Sequence, residues 1–309
     1  MVESSRITLV RAPNPSAMTL SGTNSYLIDC GNGKAICIDP GPATPRHIER
    51  LVEQARRLNV RIDTIFLTHG HPDHAPGASL LREKTGAAIG AHLRCELPHQ
   101  RNLRDKDRVR IGKADFTVLD APGHTFDHLV FYEAGERALF TGDVVLGEGT
   151  VVIAPPGGAM RPYQATLQRL ALEFPNAKTI FGGHGEAVHD PAAKLQEYIQ
   201  HRRMRENELL VALSKRPQTI PELVSGIYAQ TKPVLWPAAA RQLLAYLIAL
   251  EQEGRVTSNA LPRELTQAEH AILNPEWESI VGAEDARVVE AELGAMLHLD
   301  TIRVYETIH

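Results

Sequence analysis

Up to about residue 190 the chain alternates short apolar runs with amphipathic stretches and turn residues, the pattern of strands interleaved with helices. The apolar runs predict strands over Ser25 to Asp29, Ala35 to Asp39, Thr64 to Leu67, Phe116 to Leu119, Leu129 to Tyr132, Ala138 to Phe140 and Thr179 to Phe181. Ile48, Leu51, Val52 and Ala55 recur at helical spacing and predict a helix over His47 to Leu58; shorter ones are expected at Pro76 to Lys84 and Ala165 to Leu172. Gly31-Asn32-Gly33 marks a hairpin between the first two runs. Such alternation argues for an α/β architecture.

From Pro191 the period changes. Leu195, Tyr198, Ile199, Leu209, Leu210 and Leu213 form the stripe of a long helix that Pro217 ends. Thr219-Ile220-Pro221-Glu222 reads as a capping box opening a second helix through Val224 and Ile227. A third runs from about Pro237, carries Leu243, Leu244, Leu247 and Leu250, and stops at Gly254 before a short strand at Arg255-Val256. Three helices and a strand predict a small winged-helix module. After Leu261 come an amphipathic helix, Ala286 to Leu297, and a strand, Ile302 to Tyr305. The expected domains are therefore 1–190, 191–260 and a C-terminal extension, 261–309.

Composition adds limits. The 309 residues have room for two domains, and 43% hydrophobic with 23% charged is ordinary for a globular protein. No run reads as long enough to cross a bilayer, so no membrane partner is expected. The start, MVESSRITLVRAPNPSAM, lacks the basic and apolar regions of a secretory signal, and a cytoplasmic location is expected. Cys30, Cys37 and Cys95 lack the Cys-x-x-Cys spacing of a thiolate metal site or a redox pair; Cys30 and Cys37 flank the hairpin, within reach of each other on neighbouring strands, and in a reducing compartment the favoured reading is small buried hydrophobes. The net charge of −4 conceals an asymmetry, because residues 261–309 hold ten acidic and three basic groups. From 191 to 260 there are nine basic and six acidic groups, and Arg202, Arg203 and Arg205 form a cluster suited to phosphate.

The chemistry is concentrated in Thr68-His69-Gly70-His71-Pro72-Asp73-His74, directly after the apolar run Ile65-Phe66-Leu67. Alternation along an extended segment directs His69 and His71 to one side, and a helix starting near Pro76 turns Asp73 and His74 toward the same pocket. Imidazoles with a carboxylate are the donor set that zinc prefers. Further donors follow other runs: His124 after Pro122-Gly123, Asp143 after Thr141-Gly142, and His184 after Gly182-Gly183. In each case small residues let the backbone turn as it leaves a strand. His92, His99, His189 and His201 carry no such spacing and read as surface or turn residues.

With Asp39 in Ile38-Asp39-Pro40-Gly41, then the histidine-rich stretch, His124, Asp143 and His184 in that order, the chain resembles the metallo-β-lactamase superfamily over roughly residues 20–190. The resemblance implies a four-layer αββα sandwich of α/β class followed by a winged-helix-like helical domain. It implies that His69, His71 and His124 hold one metal, that Asp73, His74 and His184 hold a second, and that Asp143 bridges them. Two Zn2+ are expected, with Mn2+ or Fe2+ as alternatives. Asp39 is expected to support the ligand loops, and His128 to be a hydrogen-bonded neighbour of the ligands. Ser21-Gly22-Thr23-Asn24-Ser25-Tyr26-Leu27, Pro122-Gly123-His124-Thr125-x-Asp127-His128, Gly142-Asp143-x-Val145-Leu146-Gly147-Glu148-Gly149-Thr150 and His201-Arg202-x-x-Arg205-Glu206 are similar to the branch that ends in a winged helix. In that branch the animal mitochondrial member cleaves single-stranded RNA, and fungal members release polyketides as thioesterases.

The implied reaction is hydrolysis by a metal-bridging hydroxide, with Asp143 holding the pair and Asp73 orienting the nucleophile. Two substrate classes are expected, single-stranded RNA or a small acyl compound such as a thioester, lactone or β-lactam. A homodimer is a further expected partner. A metal-holding, nucleic-acid-binding regulator without turnover and an iron oxidoreductase are the alternatives from other classes; the complete donor set argues against the first and its nitrogen and carboxylate character against the second.

Overall fold

The computed structural model describes residues 6–16, 18–278, 286, 289–290 and 299–308; most of the helix expected over Ala286 to Leu297 lies outside the described residues. The chain divides into two compact units, residues 1–151 with 166–196, and residues 152–165 with 197–309.

In the first unit, β1 (Ile7–Arg11), β2 (Asn24–Asp29), β3 (Lys34–Ile38), β4 (Arg61–Phe66), β5 (Ala88–His92) and β6 (Arg101–Leu103) form one sheet in that order. The expected hairpin joins β2 to β3: Gly31, Asn32 and Gly33 all have positive φ, and Tyr26 lies opposite Ile38. From β3 to β6 the strands run parallel. Helices α1 (Pro45–Arg57) and α2 (Gly77–Thr85) make the crossovers, and α1 buries His47, Ile48, Leu51 and Ala55. A second sheet has the order β11 (Thr179–Gly182), β10 (Ala138–Gly142), β9 (Leu129–Glu133), β8 (Ala114–Asp120), β7 (Arg108–Ile111). Only its β10–β11 pair is parallel.

Two hydrophobic layers hold this unit together. One lies between the sheets, where Phe66 stacks on Phe131 with ring centres 4.7 Å apart and meets Phe116 edge-on at 5.6 Å. The other joins the outer face of the first sheet to α1 and α2 through Ile48, Leu51, Ile65 and Leu81. On the outer side of the second sheet, Phe174 packs on Tyr132 at 4.4 Å at the end of helix α3 (Met160–Glu173). The result is the four-layer sandwich. Burying each of these Phe side chains contributes about 2–3 kcal/mol. All three cysteines are free and buried.

Strands β1, β5, β6 and β7 were not expected. Ala88-Ile89-Gly90-Ala91 has weak strand propensity, and its pairing with β4 is supplied by tertiary neighbours. Helix α3 starts earlier than expected because Pro162, in its first turn, needs no amide partner there.

The second unit contains most of α4 (Pro191–Lys215), then β12 (Gln218–Thr219), α5 (Ile220–Ile227), α6 (Trp236–Gln252), β13 (Val256–Ala260), α7 (Gln267–Leu273) and β14 (Arg303–Thr307). Thr219 and Glu222 close the expected capping box. The boundary expected at 260/261 is corrected here. Strand β14 lies between β12 and β13, pairing Tyr305 with Gln218 and with Ser258, so the tail supplies the middle of the three-stranded sheet. The boundary near 190 is corrected as well: the Ile153 amide donates to Gln242 Oε1 at 3.1 Å, tying residues 152–165 to this unit.

The expectation that no run could cross a bilayer needs the same treatment. Pro233–Gln252 is long and apolar enough by length and composition, with 72% of its window buried inside the protein. Helix α6 is the core helix of this unit, with Leu243, Leu247 and Leu250 fully buried.

Candidate metal centre

Parallel pairing sends the segments after β3 and β4 out at one end of the first sheet, and those after β10 and β11 out at one end of the second. Asp39 follows β3 with φ +48 and donates its amide to Phe66 O at 2.9 Å, which pins it beside the start of the histidine loop. Gly142 turns β10 at φ +46, where an added Cβ would strike the side chain of Thr68. A Cβ on Gly183 would overlap Asp143 Oδ1 and His74 Cε1. These two glycines are what allow Asp143 and His184 to approach the other ligands.

Seven side chains converge in three overlapping groups: His69, His71, His124; His69, His74, Asp143; and Asp73, His74, His184. Within each group the candidate ligand atoms lie within 4.8 Å of one another. His124 Nε2 is 3.2 Å from His71 Nδ1, and His74 Nε2 is 3.4 Å from His184 Nε2. The Asp73 Oδ2 atom is 3.2 Å from His74 Nε2 and 3.3 Å from His184 Nε2. Donors about 2.0–2.1 Å from a tetrahedral zinc stand about 3.3 Å apart, so these separations fit such an ion. Asp143 reaches both sets: Oδ1 is 3.3 Å from His74 Nε2, while Oδ2 is 3.4 Å from His184 Nε2 and 3.8 Å from His124 Nε2.

The donor atoms are aimed by partners behind them. Asp39 Oδ2 accepts from His74 Nδ1 at 2.9 Å and from Thr68 Oγ1 at 2.6 Å, and Oδ1 accepts from the Thr68 amide at 2.8 Å. Thr68 Oγ1 in turn accepts from His69 Nδ1 at 3.0 Å, which leaves His69 Nε2 with its lone pair free. His184 Nδ1 donates to Gly22 O at 3.3 Å, and Thr23 Oγ1 donates to Asp73 Oδ2 at 2.8 Å. His69 Nε2, Asp73 Oδ1 and Asp143 Oδ1 are buried with no hydrogen-bond partner. Buried polar atoms left in this state are costly, and cations held here would satisfy His69 Nε2 and Asp143 Oδ1.

Charge is arranged to match. Burial and His74, His71 and His128 hold His69 well below the ordinary imidazole range, and burial and His124 push His71 down to about 3. Burial also opposes the charge on His74, but Asp73 and Asp143 outweigh it and raise the ring well above its usual value. The same balance raises His184 to about 10, led by Asp143 after burial. Against burial, His74 and His184 hold Asp73 and Asp143 well below the carboxylate range. Two imidazolium–carboxylate pairs therefore compete with divalent cations for the site, and metal binding releases protons.

Residues 18–184 match the model of the metallo-beta-lactamase superfamily, more than half of the chain. The chain belongs to the metallo-beta-lactamase superfamily. Residues 219–263 of this superfamily member match the beta-lactamase associated winged helix domain. It is 35% identical to a beta-lactamase-like protein 2 homolog of Drosophila melanogaster, across 79% of this chain and 87% of the relative. It is 30% identical to the lactamase-like protein adaB of Aspergillus niger, across 81% and 82%. A metallo-beta-lactamase family protein from Thermus thermophilus shares the fold with TM-score 0.68 at 23% identity, across 82% of this chain and 96% of that one. The chain is a metal-dependent hydrolase of this superfamily, with His/Asp clusters able to bind metal ions.

The other sequence-predicted residues divide. His128 lies against the ligands: its Nε2 accepts from the Asp143 amide at 3.1 Å and its ring stacks on His69 at 4.7 Å. The arginine cluster is corrected. Arg202 is 2% exposed, with its guanidinium 5.0 Å above the Tyr163 ring and a 3.0 Å bond to Gln242 Oε1. Arg205 is half-buried over Tyr228 and bonds Glu208 at 2.8 Å, which leaves Arg203 as the exposed member. The long apolar stem and delocalised charge of Arg202 fill the core of the second unit, and Arg205 is engaged by Tyr228 and Glu208. His92 is also corrected, being buried at the end of β5 and 3.8 Å from Asp120. Sequence reasoning missed Thr23 and Thr68, although Thr23 stood in the quoted Ser21-to-Leu27 stretch and Thr68 directly precedes His69.

Proposed function

We propose that this chain is a dinuclear zinc hydrolase that cleaves single-stranded RNA. The reading is carried by the doubled donor set, with His69, His71 and His124 in one cluster, Asp73, His74 and His184 in another, and Asp143 within reach of both. Ions held by these residues would supply Lewis-acid chemistry and a water acidified enough to act as nucleophile near neutral pH. The protein's own groups do the positioning. Asp143 holds the two clusters at a fixed separation, and Asp39 and Thr68 set the tautomers of His74 and His69. Asp73 Oδ1, buried and without a hydrogen bond, is the acceptor that orients the attacking water. Support for RNA over a small acyl compound comes from the resemblance to the animal members of the branch, whose Drosophila relative is matched over 87% of its length.

A second reading, hydrolysis of a small thioester or lactone, is favoured by Phe126, two residues from His124 and 39% exposed, which offers an apolar contact to an acyl chain. The two separate by salt. RNA cleavage falls steeply between about 50 and 200 mM salt because phosphate contacts release counterions, and thioester turnover does not. Turnover of a thioester with no cleavage of a fluorescent oligoribonucleotide at low salt overturns the first reading.

A further inference from the structure

The chain carries −4 overall, yet residues 94–113 hold seven basic groups and three acidic ones. Arg94, Arg101, Arg104 and Lys106 in this segment are exposed. None has a side-chain ion pair among those found in the described residues, unlike Arg108 and Arg110, which share Asp115 at 2.6 and 3.2 Å. The acidic members do little to offset them. Asp105 is taken by Arg169 at 2.8 Å, Asp107 accepts the Arg104 amide at 2.9 Å, and Glu96 alone stands exposed.

The fold places this charge at the end of the sandwich that carries the metal centre. Arg94 is two residues beyond the end of β5, and its neighbour Cys95 packs against Gly70, between the ligands His69 and His71: a Cβ on Gly70 would lie 4.0 Å from the Cys95 sulfur. Arg101 pairs with Gly90 across β5 and β6, and Arg104 directly follows β6. The Lys106 amide donates to Val118 O at 2.8 Å, two residues before Asp120, where the loop to His124 begins. Cations on edge strands also guard against edge-to-edge pairing, which accounts for Arg101, Arg108 and Arg110 on β6 and β7. It does not account for Arg94, Arg104 and Lys106, which lie in turns beyond the strands.

We infer that Arg94, Arg101, Arg104 and Lys106 form a track that binds the phosphodiester backbone of a single-stranded nucleic acid and leads it to the metal centre. This deepens the RNA reading and rests on it for the direction of travel. The track takes the role that the buried Arg202 and the engaged Arg205 cannot fill. Exposed cations without fixed partners lose little on meeting phosphates, and each phosphate neutralised releases counterions.

The test uses the full chain and a short fluorescein-labelled, single-stranded 2′-O-methyl oligoribonucleotide, its integrity through the measurement checked on a denaturing gel, followed by anisotropy from about 50 to about 200 mM salt. The variant is Arg94→Glu/Arg101→Glu/Arg104→Glu/Lys106→Asn, with asparagine chosen because Lys106 has φ +65. A control, Arg46→Glu/Arg56→Glu, removes exposed charge from α1. Losing four phosphate contacts makes the salt slope shallower by about 3 and weakens binding on the order of 100-fold near physiological salt. The control changes the slope by less than one contact. Unchanged melting temperature and elution volume show that the variant folds, and Arg→Gln single variants give the same ranking in smaller steps. No binding by the wild-type chain, or equal losses per charge in variant and control, overturns the track. Track-dependent binding of the probe without cleavage of the unmodified RNA leaves the track standing and overturns the RNA-cleavage reading alone.

Discussion

Replacing Asp39 with asparagine isolates the support behind the second cluster. The wild-type carboxylate accepts three hydrogen bonds, from the Thr68 amide at 2.8 Å, Thr68 Oγ1 at 2.6 Å and His74 Nδ1 at 2.9 Å. Asparagine keeps the shape and tolerates φ +48, so the backbone stays in place. With the amide oxygen on Thr68 N, the NH2 group faces His74 Nδ1, which must become the acceptor. The ring proton then moves to Nε2, where Asp73 at 3.2 Å and Asp143 at 3.3 Å accept it, and no lone pair is left for a metal. With the amide flipped, its NH2 opposes the Thr68 N–H, and a buried donor left unpaired costs about 1–3 kcal/mol. Either arrangement corresponds to about 10–100-fold in affinity for one metal of the proposed pair. Zinc competition against a chromophoric chelator measures both sites, and near-UV circular dichroism checks the fold. Two zincs held as tightly as in wild type by a folded Asp39→Asn chain would refute the reasoning.

On the dinuclear reading proposed above, Asp143→Ala should lose one metal of the pair and lower turnover by more than about 100-fold, beyond the loss typical of an outer support; both metals retained at full affinity contradicts the proposed bridge. Arg202→Ala should destabilise the second unit by about 3 kcal/mol in urea melts, through lost packing on Tyr163 and the lost charge-assisted bond to Gln242 Oε1, with an intact metal centre; a change under about 0.5 kcal/mol removes its structural role. His47 predicts a pH effect. Burial, helped by Arg50, lowers its pKa to about 4 while its Nε2 sits 2.9 Å from Ser25 Oγ. The unfolded chain protonates this ring near pH 6.5 and the folded one only near 4, so its stabilisation is complete above about pH 6.5 and falls by about 3 kcal/mol as pH drops to 4. Urea melts of wild type and His47→Gln should therefore diverge in pH dependence across that window, and parallel curves rule the effect out.

Much of the first unit was legible because its local signals agree with one another. The apolar run ending at Phe66, the Gly-Asn-Gly hairpin and the Thr219 capping box each name their own element through period and turn chemistry, and the ligand residues stand out by type and spacing after strands. Strands β5 to β7 were not legible, since Ala-Gly-rich and charged segments become strands only when a neighbour offers its backbone. Side-chain partners were hidden for the same reason. The sequence around Arg202 shows three arginines in four positions, and nothing in that spacing says which of them lies under the Gln242 side chain.

From the amino-acid order alone came the α/β class, the helical second part and the identity of the donor residues, because periodicity and residue chemistry act over a few positions along the chain. Tertiary structure decided what depends on segments far apart: Asp39 lies beside His74, Asp143 reaches both clusters, and β14 completes a sheet begun at residue 218. It also decided which arginines are spent inside the core and which remain at the surface. Hydrogen bonds and burial are short-range in space but indifferent to separation along the chain, and only the folded backbone states which distant groups meet.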